Sequence, residues 1–287
     1  MATLRDIRRR ITSIRSTEQI TKAMKMVAAA KLRKAQIRIL EARPYAHRLN
    51  EVLGHVAARV DRSKHPLMHE RLPHKICYVV VTADRGLCGS FNSNIIRKAT
   101  EELSRCDRVR TSLFLVGRKG RDHFKKFDWP IIGERVDFFR DLAYEHAKDI
   151  AHTLIKQFIE KKADRIFLVY NEFKSAVRQE IIVEQLLPIE PVEPEQSPLN
   201  VDFLYEPSPD AVLEEICPKN VNIQIWRVLL ESSAAEQGAR MVAMEGATDS
   251  ANDMIRSLTL HYNKVRQATI TKELTEIVGG ADALKSQ

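Results

Sequence analysis

From Asn220 to Val278 the chain contains no proline, and its two glycines, Gly238 and Gly246, stand alone. Apolar or small residues recur there at three- and four-residue intervals: Trp226, Leu229, Leu230, Ser233, Met241, Met244, Ala247, Ala251, Met254, Leu258, Tyr262, Val265 and Ala268. That is the period of one helix face. Gly279-Gly280 is expected to end it. An unbroken helix of this length measures about 90 Å at the α-helical rise per residue. A single compact domain has no room for such an element, so it needs a partner helix or a surrounding sleeve.

The N-terminus offers the partner. Leu4, Ile7, Ile11 and Ile14, then Met24, Ala28, Leu32, Ala35, Ile39, Ala42, Ala46, Leu49, Leu53 and Val56 keep a 3–4 spacing. A polar patch at Thr17, Glu18 and Thr21 interrupts it. Such a sustained period marks a coiled-coil seam and predicts a helix over residues 3–58, with Pro44 as its weak point. Met1–Ser16 is Arg-rich and poor in acids, as transit peptides are. The apolar phase nevertheless resumes after Ser16 without a cleavage-like break, so the segment reads as mature helix. A compact middle would return the chain beside its start, so the two long helices should pair antiparallel.

Residues 74–206 change character. Ile76–Thr82 is a continuous apolar run, as a buried parallel strand reads. Asn92–Ser104 reads as a helix, Ser112–Val116 as a second strand, and Gly117 opens a basic helix through Phe127. Ile131–Phe139 follows as a third strand, Asp141–Lys161 as a long helix and Arg165–Tyr170 as a fourth strand. Ala176–Leu187 alternates like an edge strand. Pro188, Pro191, Pro194 and Pro198 mark an extended segment. The expected fold class is α/β: a long antiparallel coiled coil of the terminal helices plus a central Rossmann-like α/β sheet domain. The expected division is 1–60, 61–73 (connector), 74–206 and 207–287.

Composition limits what such a chain does. Hydrophobic residues make up 44% and charged residues 29%, too apolar for disorder, and no apolar run approaches a membrane span. Residues 1–48 hold thirteen Lys or Arg against Asp6, Glu18 and Glu41, so this end seeks an acidic surface. A basic coiled-coil nucleic-acid binder would continue that charge into the C-terminal helix, which is nearly neutral. Cys77, Cys88, Cys106 and Cys217 form no CxxC pair and are expected to be unpaired. His65, His69 and His74 lie in a Pro-flanked connector with no nearby thiol or carboxylate pair, a poor metal set.

One stretch looks enzymatic. Thr82-Ala-Asp-Arg-Gly-Leu-Cys-Gly-Ser-Phe-Asn92 joins a strand to a helix and could aim backbone N–H groups at a phosphate. It lacks the GxGxxG order and the lysine and hydroxyl of a P-loop. A nucleotide-binding α/β enzyme would need a phosphate-binding lysine or paired acids near Gly86, and a tight turn is the better reading.

Four strings are long and specific: Ile20-Thr-Lys-Ala-Met-Lys-Met-Val-Ala-Ala29 through Ala30, Thr82-Ala-Asp-Arg-Gly-Leu-Cys-Gly89, Ala239-Arg-Met-Val-Ala-Met-Glu-Gly-Ala-Thr-Asp249, and the run from Tyr262 to Val278. In order and across both termini and the middle, they resemble the gamma subunit of rotary (F-type) ATP synthases. The resemblance implies a central shaft whose terminal helices turn inside a ring of alpha and beta subunits, with the α/β domain at its foot against epsilon and the c-ring. It implies a non-catalytic subunit with no cofactor, no metal and no nucleic-acid partner. It also implies a peripheral position on the cytoplasmic face of a bacterial plasma membrane, reached only through the c-ring. By the same resemblance Arg266, Gln267, Thr271 and Glu273 contact beta, and the segment at Met24, with Lys22 and Lys25, faces an acidic beta loop. Tyr205 and Glu206 are the implied contacts with epsilon and the c-ring. The plastid type carries a cysteine-containing insert, which the short, cysteine-free Glu190–Pro209 lacks. With no presequence read, the bacterial type is expected. The coupling ion, proton or sodium, is set in another subunit.

Overall fold

The computed structural model describes residues 3–58, 60–61, 65–190, 206 and 208–285, with side-chain surroundings given through residue 279. Two long helices bracket a five-stranded sheet. The elements run α1 (Leu4–Ala57), β1 (Ile76–Val81), α2 (Phe91–Ser104), β2 (Thr111–Val116), α3 (Arg118–Phe124), β3 (Ile131–Arg135), α4 (Tyr144–Ile159), β4 (Arg165–Phe173), β5 (Gln179–Leu187) and α5 (Pro209–Lys285). None of the described helices is long and apolar enough to cross a membrane. The chain forms two compact units, one of Ala28–Arg240 and one of Met1–Val27 with Met241–Gln287.

In the larger unit the strand order is β3-β2-β1-β4-β5. The first four strands are parallel and β5 is antiparallel to β4. This is the doubly wound order of Rossmann-type sheets, in which the chain reverses direction across the sheet beside β1. The central strands are buried on both faces, which explains the unbroken apolar runs ICYVVV and TSLFLV. α2 presents Phe91, Ile95, Ala99 and Leu103, one residue per turn, to a core that also holds Val80, Leu113, Leu115 and Ala235 of α5. α4 buries Ala147, Ile150, Ala151, Leu154 and Phe158.

Element ends differ from the sequence reading where local chemistry intervenes. β3 stops at Arg135 because Asp137 takes a positive φ of 63° and gives its N–H to the Asp84 carboxylate. β5 starts at Gln179, since Ser175–Arg178 closes a turn with Ser175 N–H on the Arg178 carbonyl and Arg178 N–H on the Ser175 hydroxyl. α3 ends at Phe124, short of Phe127, and α4 occupies Tyr144–Ile159 within the broader range expected. The expected stop at Gly279-Gly280 is wrong, because α5 runs through both to Lys285. A helical glycine costs about 1 kcal/mol relative to alanine, a weakness but not a barrier. Likewise α1 continues through Pro44 and α5 through Pro218. The proline-rich run expected after Glu190 lies outside the described residues.

In the smaller unit α1 and α5 run antiparallel, with Thr21 meeting Thr248 and Lys25 meeting Glu245. The buried or half-buried positions of α1 are Leu4, Ile7, Ile11, Ile14, Glu18, Thr21 and then Met24 and Lys25, so the seam passes straight through the polar patch. Thr21 is buried there, its hydroxyl 2.8 Å from that of Thr248. On α5 the inward positions are Met244, Ala247, Thr248, Ala251, Ile255, Leu258, Thr259, Tyr262, Val265 and Thr269. Met254 and Ala268, expected on the seam, are exposed; the 3.5-residue phase brings Ile255 and Thr269 inward instead.

Gly117 lets β2 hand over to α3. Its φ is +87°, and a Cβ at this position would lie 2.1 Å from the Thr82 carbonyl oxygen. Gly117→Ala should therefore destabilise the chain by about 3 kcal/mol through strain and overpacking. Urea unfolding of the full chain measures it, and a loss below about 1 kcal/mol would contradict the close approach.

Candidate functional site

The β1–α2 loop lies at the C-terminal end of β1, where Rossmann-type sheets usually bind ligands. Here several of its polar groups are bonded within the chain. The Ala83 N–H is given to the Asn92 side-chain oxygen at 2.9 Å, and the Asn92 amide donates to the Arg85 carbonyl at 3.3 Å. Thr82 is fully buried, its hydroxyl donating to the Val116 carbonyl and accepting from the Gly120 N–H at 2.8 Å. Asp84 accepts from the N–H groups of Arg118 and Asp137. Leu87 and Gly89 turn the chain with φ of 61° and 57°. From α5, one nitrogen of Arg240 donates to the Gly86 carbonyl at 3.1 Å and to Glu236 at 2.7 Å. The loop is a tight turn held by its neighbours.

A groove of about 1060 Å³ lies between α1, α5 and the outer strand β5, lined by Pro44, Tyr45, Asn50, Tyr144, Leu186 and Trp226 among others. Its cations are committed. Arg43 pairs with Glu231 at 3.3 Å, and Arg227 pairs with Glu184 while donating to the Tyr170 hydroxyl at 3.0 Å. Asn50 accepts from Asn220 at 2.6 Å and from Gln224 at 3.2 Å. Burial drives the Tyr170 hydroxyl upward despite the nearby Arg227.

The residues singled out in the sequence fall into separate groups. Lys22 is exposed, whereas Met24 and Lys25 are half-buried on the seam side of α1. Lys25 is bound at 2.5 Å to Glu245, so its charge is partly answered within the chain. Arg266, Gln267, Thr271 and Glu273 sit together on the exposed end of α5, with the Thr271 hydroxyl on the Gln267 carbonyl. That end is unusual. Every residue from Arg266 to Gly279 except Thr269 is exposed, yet Ile270, Leu274, Ile277 and Val278 form an apolar stripe. Glu206 is exposed, and Tyr205 lies outside the described residues. His65 is buried, and its Nδ1 accepts from the Leu67 N–H. The sequence reading missed the buried charges Glu231 and Glu236. The signal was present in Glu231-Ser-Ser-Ala-Ala-Glu-Gln-Gly238, where a run of small residues marks close packing, so that any charge inside must find a partner.

A Rossmann-ordered sheet whose β1–α2 loop is held by its own chain, carried with two long paired helices, defines an α/β scaffold with coiled-coil arms. The sequence profile of the family described as ATP synthase matches residues 3–284. The ATP synthase gamma chain of Chlorobaculum parvum is 47% identical over 291 residues, covering 99% of this chain and 100% of its own length. That of Pelotomaculum thermopropionicum is 50% identical over 285 residues, again covering 99% and 100%. The chain belongs to the ATP synthase gamma chain family, one subunit of that enzyme complex. Among solved structures, the central stalk and c-ring assembly of the Tetrahymena thermophila mitochondrial ATP synthase contains a chain 28% identical, with a TM-score of 0.62, covering 79% of this chain and 99% of that one. A chain of the Euglena gracilis mitochondrial ATP synthase rotor shares the fold at 20% identity and a TM-score of 0.68, covering 93% and 98%.

All four cysteines are free thiols. Burial pushes Cys77 and Cys217 up to about 12, and Cys88 also moves upward for the same reason. A thiol must ionise to react, so alkylation of the folded chain at pH 8 should label the half-buried Cys106 first. Cys77 and Cys217 should react only after denaturation, and mass spectrometry of the labelled peptides decides it. Labelling of Cys77 at the rate of Cys106 would contradict this burial.

Proposed function

We propose that this chain is the central rotor shaft of a proton- or sodium-driven ATP synthase. It carries torque between the membrane c-ring and the catalytic alpha/beta head, and so couples ion flow to ATP synthesis. The observation that carries the reading is the upper end of α5. A helix exposed on all sides with an apolar stripe at Ile270, Leu274, Ile277 and Val278 is made for a sleeve that the chain itself does not supply.

In this reading residues 1–60 and 207–287 are the shaft helices, 61–73 is a connector and 74–206 is the α/β domain at the foot. Arg266, Gln267, Thr271 and Glu273 meet the alpha/beta head, as do Lys22, Met24 and Lys25. Tyr205 and Glu206 meet epsilon and the c-ring. The subunit is peripheral, on the cytoplasmic face of a bacterial plasma membrane, and touches lipid only through the c-ring. It makes no bonds. What it supplies is a different contact to each surrounding subunit at each angle, so that their conformations shift in turn.

Two measurements test this. The isolated chain should neither hydrolyse ATP nor bind it saturably, because the β1–α2 loop lacks the lysine and hydroxyl of a P-loop and is pinned from α5 by Arg240 at the Gly86 carbonyl; micromolar binding lost on changing Arg85 would contradict that. In the whole complex, with Cys77, Cys88, Cys106 and Cys217 replaced, a disulfide from Gln267→Cys to a facing beta cysteine should arrest ATP hydrolysis, and reduction should restore it. A covalent bond cannot follow a full relative turn. Continued ion-coupled turnover with the tether formed in high yield would sink the rotor reading.

A further inference from the structure

From Val228 to Gly238 every residue of α5 is buried except the half-buried Ser233. A helix buried on all sides is ordinarily apolar on all sides, yet this one carries Glu231, Ser232, Glu236 and Gln237. Each carboxylate ends a strut. Glu231 accepts from the Phe173 N–H at the end of β4, at 3.1 Å, and from Arg43 of α1 at 3.3 Å. Glu236 holds Arg240 at 2.7 Å, and the same Arg240 nitrogen reaches the Gly86 carbonyl of the β1–α2 loop at 3.1 Å. Between them Gly238 lies so near the β4–β5 turn that a Cβ would come within 3.1 Å of the Ala176 carbonyl oxygen. The helix is thus attached to the β4–β5 turn, to α1 and to the β1–α2 loop.

Stability does not call for such an arrangement. A buried ion pair replaced by well-packed apolar residues is commonly neutral or stabilising. What the polar contacts add is direction. Apolar packing among alanines and serines resists separation but only weakly resists rotation of a helix about its own axis, whereas hydrogen bonds weaken steeply when misaligned.

We infer that Glu231–Arg240 is the joint that stops α5 from turning within the sheet domain, with Glu231 and Arg240 as positioning residues, so that torque on the domain is delivered to the helix. The inference rests on the rotor reading above. Arg240 is the last residue of the sheet-bearing unit, and α5 continues beyond it as the same helix.

The test is made in the assembled ATP synthase. Glu236→Leu combined with Arg240→Leu removes both charges together, leaves neither buried alone, and deletes the bond to Gly86. Assembly and thermal stability should hold and ATP hydrolysis should persist, while the ions moved per ATP fall about threefold or more, within the range over which single residues modulate coupling between distant sites. Arg240→Lys keeps the pair with Glu236 but loses the planar guanidinium that spans both partners, and should give a smaller fall. An unchanged ion-to-ATP ratio in either assembled variant overturns the inference. So does failure of both to assemble, because the joint would then be a stability element. The Gln267 tether run in parallel separates the two readings. If the tether does not arrest hydrolysis, the rotor reading fails. If it does and both variants stay fully coupled, only the joint fails.

Discussion

The close packing of the small-residue stretch of α5 against the sheet is the contact on which the larger unit depends. Ala235 belongs to the same core as Val80, Ile95 and Leu113, so the long helix is a wall of the domain and not an attachment to it. Alanine, serine and glycine permit this because their side chains let backbones approach, and the cost is that few atoms remain to define orientation. Polar contacts supply what bulk would otherwise provide. Arg227, Glu231 and Arg240 each reach a different part of the domain from different turns of one helix.

That same packing changes the meaning of the fold. The strand order and the position of the β1–α2 loop are those of a nucleotide-binding sheet, but fold alone does not confer function. In this chain Arg240 holds the Gly86 carbonyl from α5, Asn92 takes up the Ala83 N–H, and the Asp84 carboxylate ties the loop to Arg118 and Asp137. The chain spends its one ligand-type turn on holding itself together. Exposed apolar surface is found instead in the smaller unit, on the stripe near the end of α5.

Much of this was legible in the sequence because it follows from period and run length. β1, β2 and β4 are apolar runs and the helices keep the 3–4 spacing, whereas the turn into the edge strand falls at Ser175–Arg178, later than a strand read from Ala176 allows. What was not legible depended on partners distant in sequence. Glycines at 279 and 280 read as a stop, but local weakness does not end a helix that is otherwise strongly formed. Met254 looked like a seam residue by type, yet phase places Ile255 inward. Thr21 looked like an interruption because its partner lies more than two hundred residues away. Among the candidate contacts, Lys25 stands out by its charge, but its partner Glu245 lies two hundred and twenty residues away and is invisible in a local pattern.

The threonine pair has a consequence for how the two helices can move. Most of the seam in the smaller unit is Ala, Met, Ile and Leu, residues that would fit almost as well after a lengthwise slip of one heptad. The pair at Thr21 and Thr248 would not. One hydroxyl donates to a carbonyl of its own helix, Glu18 or Met244, while the other donates across the seam, and the 2.8 Å contact between them forms only in this alignment. A polar layer inside an apolar seam specifies register in coiled coils. The two helices are thus indexed like a keyed joint: the greasy remainder of the seam allows them to flex together, while the hydroxyl pair and the neighbouring Lys25–Glu245 ion pair fix which residue faces which.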